Sequence, residues 1–241
     1  QGGIGNAAED QFLLRYYHLD ASGWGSPFLL VPEVSNVDAD TLGKLSSAKP
    51  TDYYLSHASP LGVPFNNFRK SSSEVQKHNR IEKGKPGSPC SLKMLVSNTE
   101  FTKEPICTAS RQYQRLKIAQ LKEQHLPASE YETQFDLITE KACLCTGLGA
   151  SALLNNDIEA KHHIKTVAIC PGPNLAYFSG VFSLQQMVDH IYGRINILNS
   201  LERPNLFVNE LKLYVDYLKT EIAKNIDSLN TNKIRYLKTF Q

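Results

Sequence analysis

The chain has 241 residues, of which 41% are hydrophobic and 21% charged, and a formal net charge of +2. That composition predicts a globular protein with a real core, in one large domain or two small ones. The near-neutral charge argues against a nucleic-acid partner. The longest apolar run, Phe28–Val31, is far too short to cross a membrane.

Five cysteines, Cys90, Cys107, Cys143, Cys145 and Cys170, are scattered along the chain in an odd number. This is unlike a secreted disulfide framework, so they are expected to be mostly reduced and the protein cytoplasmic.

The chain opens at Gln1, directly before Gly2-Gly3-Ile4, and is expected to be the back part of something larger. Ala8–Tyr17 has helical spacing of Phe12, Leu13, Tyr16 and Tyr17. Gly23 and Gly25 then bracket a tight entry into an apolar segment, Pro27–Val31, expected to be a strand. Asp38 predicts an N-cap for a short helix over Ala39–Ser47. Tyr53–Leu55 is a second strand candidate. Ser59–Phe65 carries turn chemistry at both of its prolines. The polar stretch Lys70–Pro89 is expected to be a long loop, of the kind that forms lids or binding segments.

Helices are expected over Thr108–Glu123, Ser129–Ile138, Ala150–Leu154 and Leu184–Ile191, with a short buried strand over Thr166–Cys170. From Asn205 to Leu229, apolar residues recur every three to four positions. They predict one amphipathic helix with Leu211, Val215, Leu218 and Ile222 on a buried face.

The two glycine turns carry the clearest chemistry. Glycine has no Cβ, so backbone N–H groups there can approach an oxyanion closely. Barrel enzymes seat a cofactor phosphate in the loops after their seventh and eighth strands in this way. The candidate donors are the turn residues Gly2, Gly3, Ile4, Gly25 and Ser26: the backbone amides of the last four, and the Ser26 hydroxyl as a fifth group.

Other candidates are weaker. Cys143-x-Cys145 lacks the spacing and second ligand pair of a zinc site, so small buried thiols are expected and no metal. The basic residues Lys70, Lys77, His78, Arg80, Lys83 and Lys85 are interrupted by Glu74 and Glu82, which suits a solvated loop. His57, His162 and His163 have no evident carboxylate partner and are expected to be structural.

Several motifs in order resemble the C-terminal half of the nitronate monooxygenase (2-nitropropane dioxygenase) family. Gly2-Gly3-Ile4 and Gly25-Ser26-Pro27-Phe28 with Pro32-Glu33 are similar to its two phosphate turns. Ala58–Phe65 is similar to its post-barrel segment, and Lys141–Leu148 resembles its cysteine–leucine–cysteine signature. Pro171-Gly172-Pro173-Asn174-Leu175 stands where the family has an acidic turn.

The resemblance implies an α/β chain: the C-terminal part of a TIM (β/α)8 barrel, followed by an α-rich extension with a long irregular loop. Residues 1–56 would be the last barrel strands and helices, 57–193 the post-barrel extension or lid, and 194–241 a C-terminal amphipathic segment. It implies FMN as cofactor, a small-molecule substrate, an upstream barrel segment as partner, and a possible homo-oligomer. The family's catalytic histidine and flavin-ring contacts fall before Gln1. The alternative is a non-catalytic scaffold or acyl-handling partner in a multienzyme assembly for lipid or polyketide synthesis.

Overall fold

The computed structural model describes residues 3–158 and 166–225, together with Arg235 and Lys238. It is a mixed α/β structure. Among the described residues there are eight α-helices and one two-stranded antiparallel sheet. The helices are α1 (Ala7–Tyr16), α2 (Ala39–Ser46), α3 (Ser72–Glu82), α4 (Arg111–Glu123), α5 (Ala128–Thr139), α6 (Leu144–Asn155), α7 (Leu184–Ile191) and α8 (Leu206–Asn225). The strands β1 (Tyr53–Ser56) and β2 (Phe65–Phe68) pair Tyr53 with Phe68 and Ser56 with Phe65.

Side-chain caps explain many of the helix starts. Asn6, Asp38, Ser71 and Ser110 each accept a bond from the N–H three residues on. Ser183 and Gln186 form a reciprocal capping box at α7. Each cap satisfies one or two N–H groups that the helix itself cannot.

The main core gathers Leu30, Val31, Leu45, Phe68, Leu175, Phe178 and Met187. It therefore joins the first 68 residues to the segment 169–187 across the intervening residues 69–168. A smaller cluster of Ile4, Leu13 and Leu206 ties the N-terminal turn to α1 and to the start of α8.

Four sequence expectations are corrected. Pro27–Val31 is not a strand. Ser26–Leu30 is a 3-10 helix, in which Phe28 N–H bonds Gly25 O and Val31 N–H bonds Phe28 O. Pro27 at its second position removes a strand donor and fixes φ near helical values.

Lys70–Pro89 is not all loop, because Ser72–Glu82 forms α3. The helix carries almost no apolar periodicity, and Glu74 is its one fully buried residue among those described. Its cap and its helix-forming charged residues hold it instead.

Within Thr166–Cys170 the middle three residues, Val167, Ala168 and Ile169, are buried, but the segment joins no sheet among the described residues. Val167 O accepts from Ser73 N–H and Ala168 N–H donates to Gly147 O, so α3 and α6 take the place of neighbouring strands. Gly147 is required there, since a Cβ would lie 2.7 Å from Ala168 Cβ.

The α8 stripe is not buried. Leu211, Val215 and Ile222 are exposed and Leu218 is half-buried. The first turn is anchored by buried Leu206 and by Phe207 against Phe12 and Tyr17. The predicted continuation from Ile226 to Leu229 lies outside the described residues.

Among the described residues no single helix is long and apolar enough to cross a membrane. Only α5 and α6 taken together, bent by 49°, reach the required length and composition.

Candidate functional site

The two glycine turns, more than twenty residues apart in sequence, line one cavity of about 520 Å³. Gly3, Ile4, Gly25 and Ser26 all lie on its wall; Gly2 lies outside the described residues. Gly3 has φ +83, a left-handed conformation that favours glycine. Gly25 has an ordinary φ of −108, and a Cβ built on it meets nothing within 4 Å. Its value is the open space in front of the backbone.

The Gly3–Ile4 turn is held by a buried network. Arg203 donates to Gly3 O at 2.6 Å, to Asn174 Oδ1 at 2.6 Å and to Glu9 Oε1 at 2.7 Å. Asn174 Nδ2 in turn donates to Ile4 O at 2.9 Å. Glu9 also accepts from the N–H groups of Gly5 and Leu206, both at 2.9 Å. The Arg203 and Glu9 side chains are 8% and 5% exposed, so one ion pair with full hydrogen bonding binds α1, the N-terminal turn and the entry to α8. His190 completes the support. Its Nε2 lies 2.9 Å from Gly5 O, and its Nδ1 accepts from Ile197 N–H at 3.4 Å.

These bonds turn the Gly3 and Ile4 carbonyls toward protein partners. Within the described residues the N–H groups of Gly3, Ile4, Gly25 and Ser26 have no protein acceptor. Ser26 Oγ accepts from Gly172 N–H at 2.7 Å, which leaves its own proton to donate elsewhere. Gly172 is needed for that approach, because a Cβ would sit 2.8 Å from Ser26 Oγ.

The rest of the wall mixes apolar and aromatic residues, Trp24, Pro27, Pro173, Leu206, Leu213 and Tyr214, with Cys170, the side-chain amides of Asn66, Asn174 and Asn209, and one carboxylate, Glu210. Among the described residues no lysine or arginine lines it. The arrangement can therefore grip an oxyanion by neutral donors and hold a large apolar or aromatic body against Trp24 and Tyr214.

The remaining candidates are placed elsewhere. Cys143 and Cys145 lie in the first turn of α6 with sulfurs 3.6 Å apart. Burial, and Cys143 beside it, push the Cys145 thiol up to about 11. Among the described residues no group of three or more His, Cys, Asp or Glu could hold a metal ion. His57 uses its backbone N–H to bond Glu140 Oε1 at 2.7 Å, and its ring joins no acid–base pair. His162 and His163 lie outside the described residues.

Sequence reasoning missed Glu9, Arg203 and His190, because bonds spanning 194 or 185 residues leave no local pattern. Asn174 had a signal, as the residue standing where the resembling family is acidic. No family model, no curated protein and no solved structure matches this chain.

Proposed function

We propose that the chain is part of an FMN-dependent oxidoreductase of the nitronate monooxygenase type, in which it supplies the FMN-phosphate site and a cover over the active site. The observation that carries this is the convergence of Gly3, Ile4, Gly25 and Ser26 on one cavity, with their N–H groups unengaged. The phosphate would accept from these amides and from the Ser26 hydroxyl, and the flavin body would lie toward Trp24 and Tyr214. The flavin supplies the redox chemistry; these residues bind and orient it.

Residues 1–56 would be the closing part of a (β/α)8 barrel, whose other strands and catalytic base come from an upstream segment. Expressed alone, the 241-residue chain should turn over no nitronate. Co-expression with the upstream segment should restore flavin fluorescence and oxygen uptake. Robust oxidase activity from the isolated chain would overturn the partial-barrel assignment.

A second function, as a non-catalytic scaffold or acyl-handling partner within a multienzyme assembly, is favoured by the apolar part of the wall, since proline, leucine and aromatic side chains suit a hydrocarbon. Flavin absorbance in the purified complex separates the two.

A further inference from the structure

A second cavity, of about 130 Å³, lies between α3 and the start of α6. Among the described residues its wall carries three cations, Lys77, Arg80 and Lys141, and no carboxylate. Lys77 is neutralised by Glu74 at 2.8 Å. Among the described residues the other two make hydrogen bonds only to neutral groups; Glu140, next to Lys141, acts on it through space without an ion pair. Arg80 donates to Ser88 Oγ at 2.9 Å and to Gln76, and Lys141 donates to His57 O at 2.6 Å and Ser59 O at 3.2 Å. A guanidinium has five N–H donors and an ammonium three, so both keep protons unused.

We propose that this pocket binds a phosphate group, gripped by Arg80 and Lys141.

Two half-buried positive charges with no ion pair among the described residues favour an anion beside them, because an unpaired charge out of water is costly. A dianion can engage both cations at once; a carboxylate has one charge for the two. Independent features point the same way. α6 begins here with Cys143 as a cap whose side chain accepts from no helix N–H, so the free N–H groups of a twelve-residue helix add positive potential. The far wall is held by Gly87, whose φ is +85 and whose Cβ would lie 2.6 Å from Arg111 Cα. Only glycine lets Ser88 close against the start of α4 and meet Arg80.

The Arg80 charge is strained as this predicts: burial first, then the like charge of Arg111, hold its pKa below the usual value. The volume admits one phosphate group and excludes a nucleotide or flavin, which need roughly 300 Å³ or more. The site is thus separate from the glycine-turn cavity and independent of the FMN proposal.

The test is titration of the full chain with inorganic phosphate, followed by 31P NMR and thermal unfolding at constant ionic strength. Saturable binding should weaken by about tenfold or more in Arg80→Gln, and also in Lys141→Gln, as expected for losing a charge-assisted bond. Acetate should not compete. Phenyl phosphate distinguishes the sources: competition identifies an esterified phosphate, and exclusion identifies the free ion.

Should the variants fail to fold, wild-type protein still decides. Phosphate should slow iodoacetamide alkylation of Cys143, on the pocket wall. No saturable binding by the wild type, unchanged affinity in a folded Arg80→Gln, or equal alkylation of Cys143 with and without phosphate would overturn the proposal. Gly25→Val should leave phosphate binding here intact, so failure at one cavity is distinguishable from failure at the other.

Discussion

The two cavities are built on opposite principles. The glycine-turn cavity offers neutral backbone donors and an aromatic wall, and its one arginine, Arg203, is spent behind the wall on Glu9 and Asn174. The α3–α6 pocket presents its cations directly, with Arg80 and Lys141 on the wall itself. In the first, charge shapes the backbone that does the binding; in the second, charge does the binding. A substitution should therefore act on fold when it touches Arg203 and on ligand affinity when it touches Arg80.

The largest effect should come from Arg203→Ala. It strands the buried Glu9 carboxylate and frees Gly3 O and Asn174, and breaking such a pair costs about 3–5 kcal/mol. Urea unfolding should show this loss; a loss below 1 kcal/mol would break the contrast with Arg80.

Next is Gly87→Val, which drives a Cβ into the Arg111 backbone from a left-handed φ. Overpacking of that kind costs about 1–3 kcal/mol, and phosphate affinity should fall with it. An unchanged melting temperature would show that the pocket wall is not glycine-dependent.

Asp38→Ala probes the joint between α2 and α6. Asp38 caps α2 and accepts from Ser151 Oγ at 2.6 Å. Burial works to raise its pKa, but the bonds from Ser151 and Thr41 outweigh burial and hold it below the usual carboxylate value of 3.8. The stabilisation from the lowered pKa is thus present above pH 3.8 and lost as pH falls through the lower folded value. The substitution should cost about 1 kcal/mol at pH 7. Unfolding curves at a series of acid pH values should show that difference shrinking; a constant difference would place the carboxylate outside the capping bond.

The smallest effect should follow Leu211→Asp. Leu211 is 63% exposed on α8, beside the first cavity yet outside its anchor. Surface changes of this kind stay within about 0.5 kcal/mol. A large drop in melting temperature would show that the α8 stripe is covered after all.

What was legible in the sequence was local. Asp38 announced its helix, the spacing in α1, α4 and α7 announced theirs, and the glycine turns announced a cavity wall. The failures share one cause. The 3-10 helix at Ser26–Leu30, the charged helix α3 and the unpaired segment Thr166–Cys170 are decided by partners far along the chain, or by caps that outweigh a missing apolar period. The α8 stripe had the right period and no partner to bury it, since periodicity states which face is apolar and not what covers it. Arg80, Ser88 and Lys141 converge from α3, the loop after it and the residue three before α6, a geometry no spacing rule encodes.

The account rests most directly on the Gly3–Ile4 and Gly25–Ser26 turns holding an FMN phosphate. Gly25→Val is the clean probe, because Gly25 lies on the cavity wall and an added Cβ meets no protein atom within 4 Å. The decisive measurement is FMN titration by flavin fluorescence, with the upstream segment supplied, for wild type and Gly25→Val side by side. The account predicts saturable FMN binding by the wild type, roughly tenfold or more weaker in the variant, with the melting temperature unchanged. Equal FMN affinity in the two proteins, or no binding by the wild type, would contradict it.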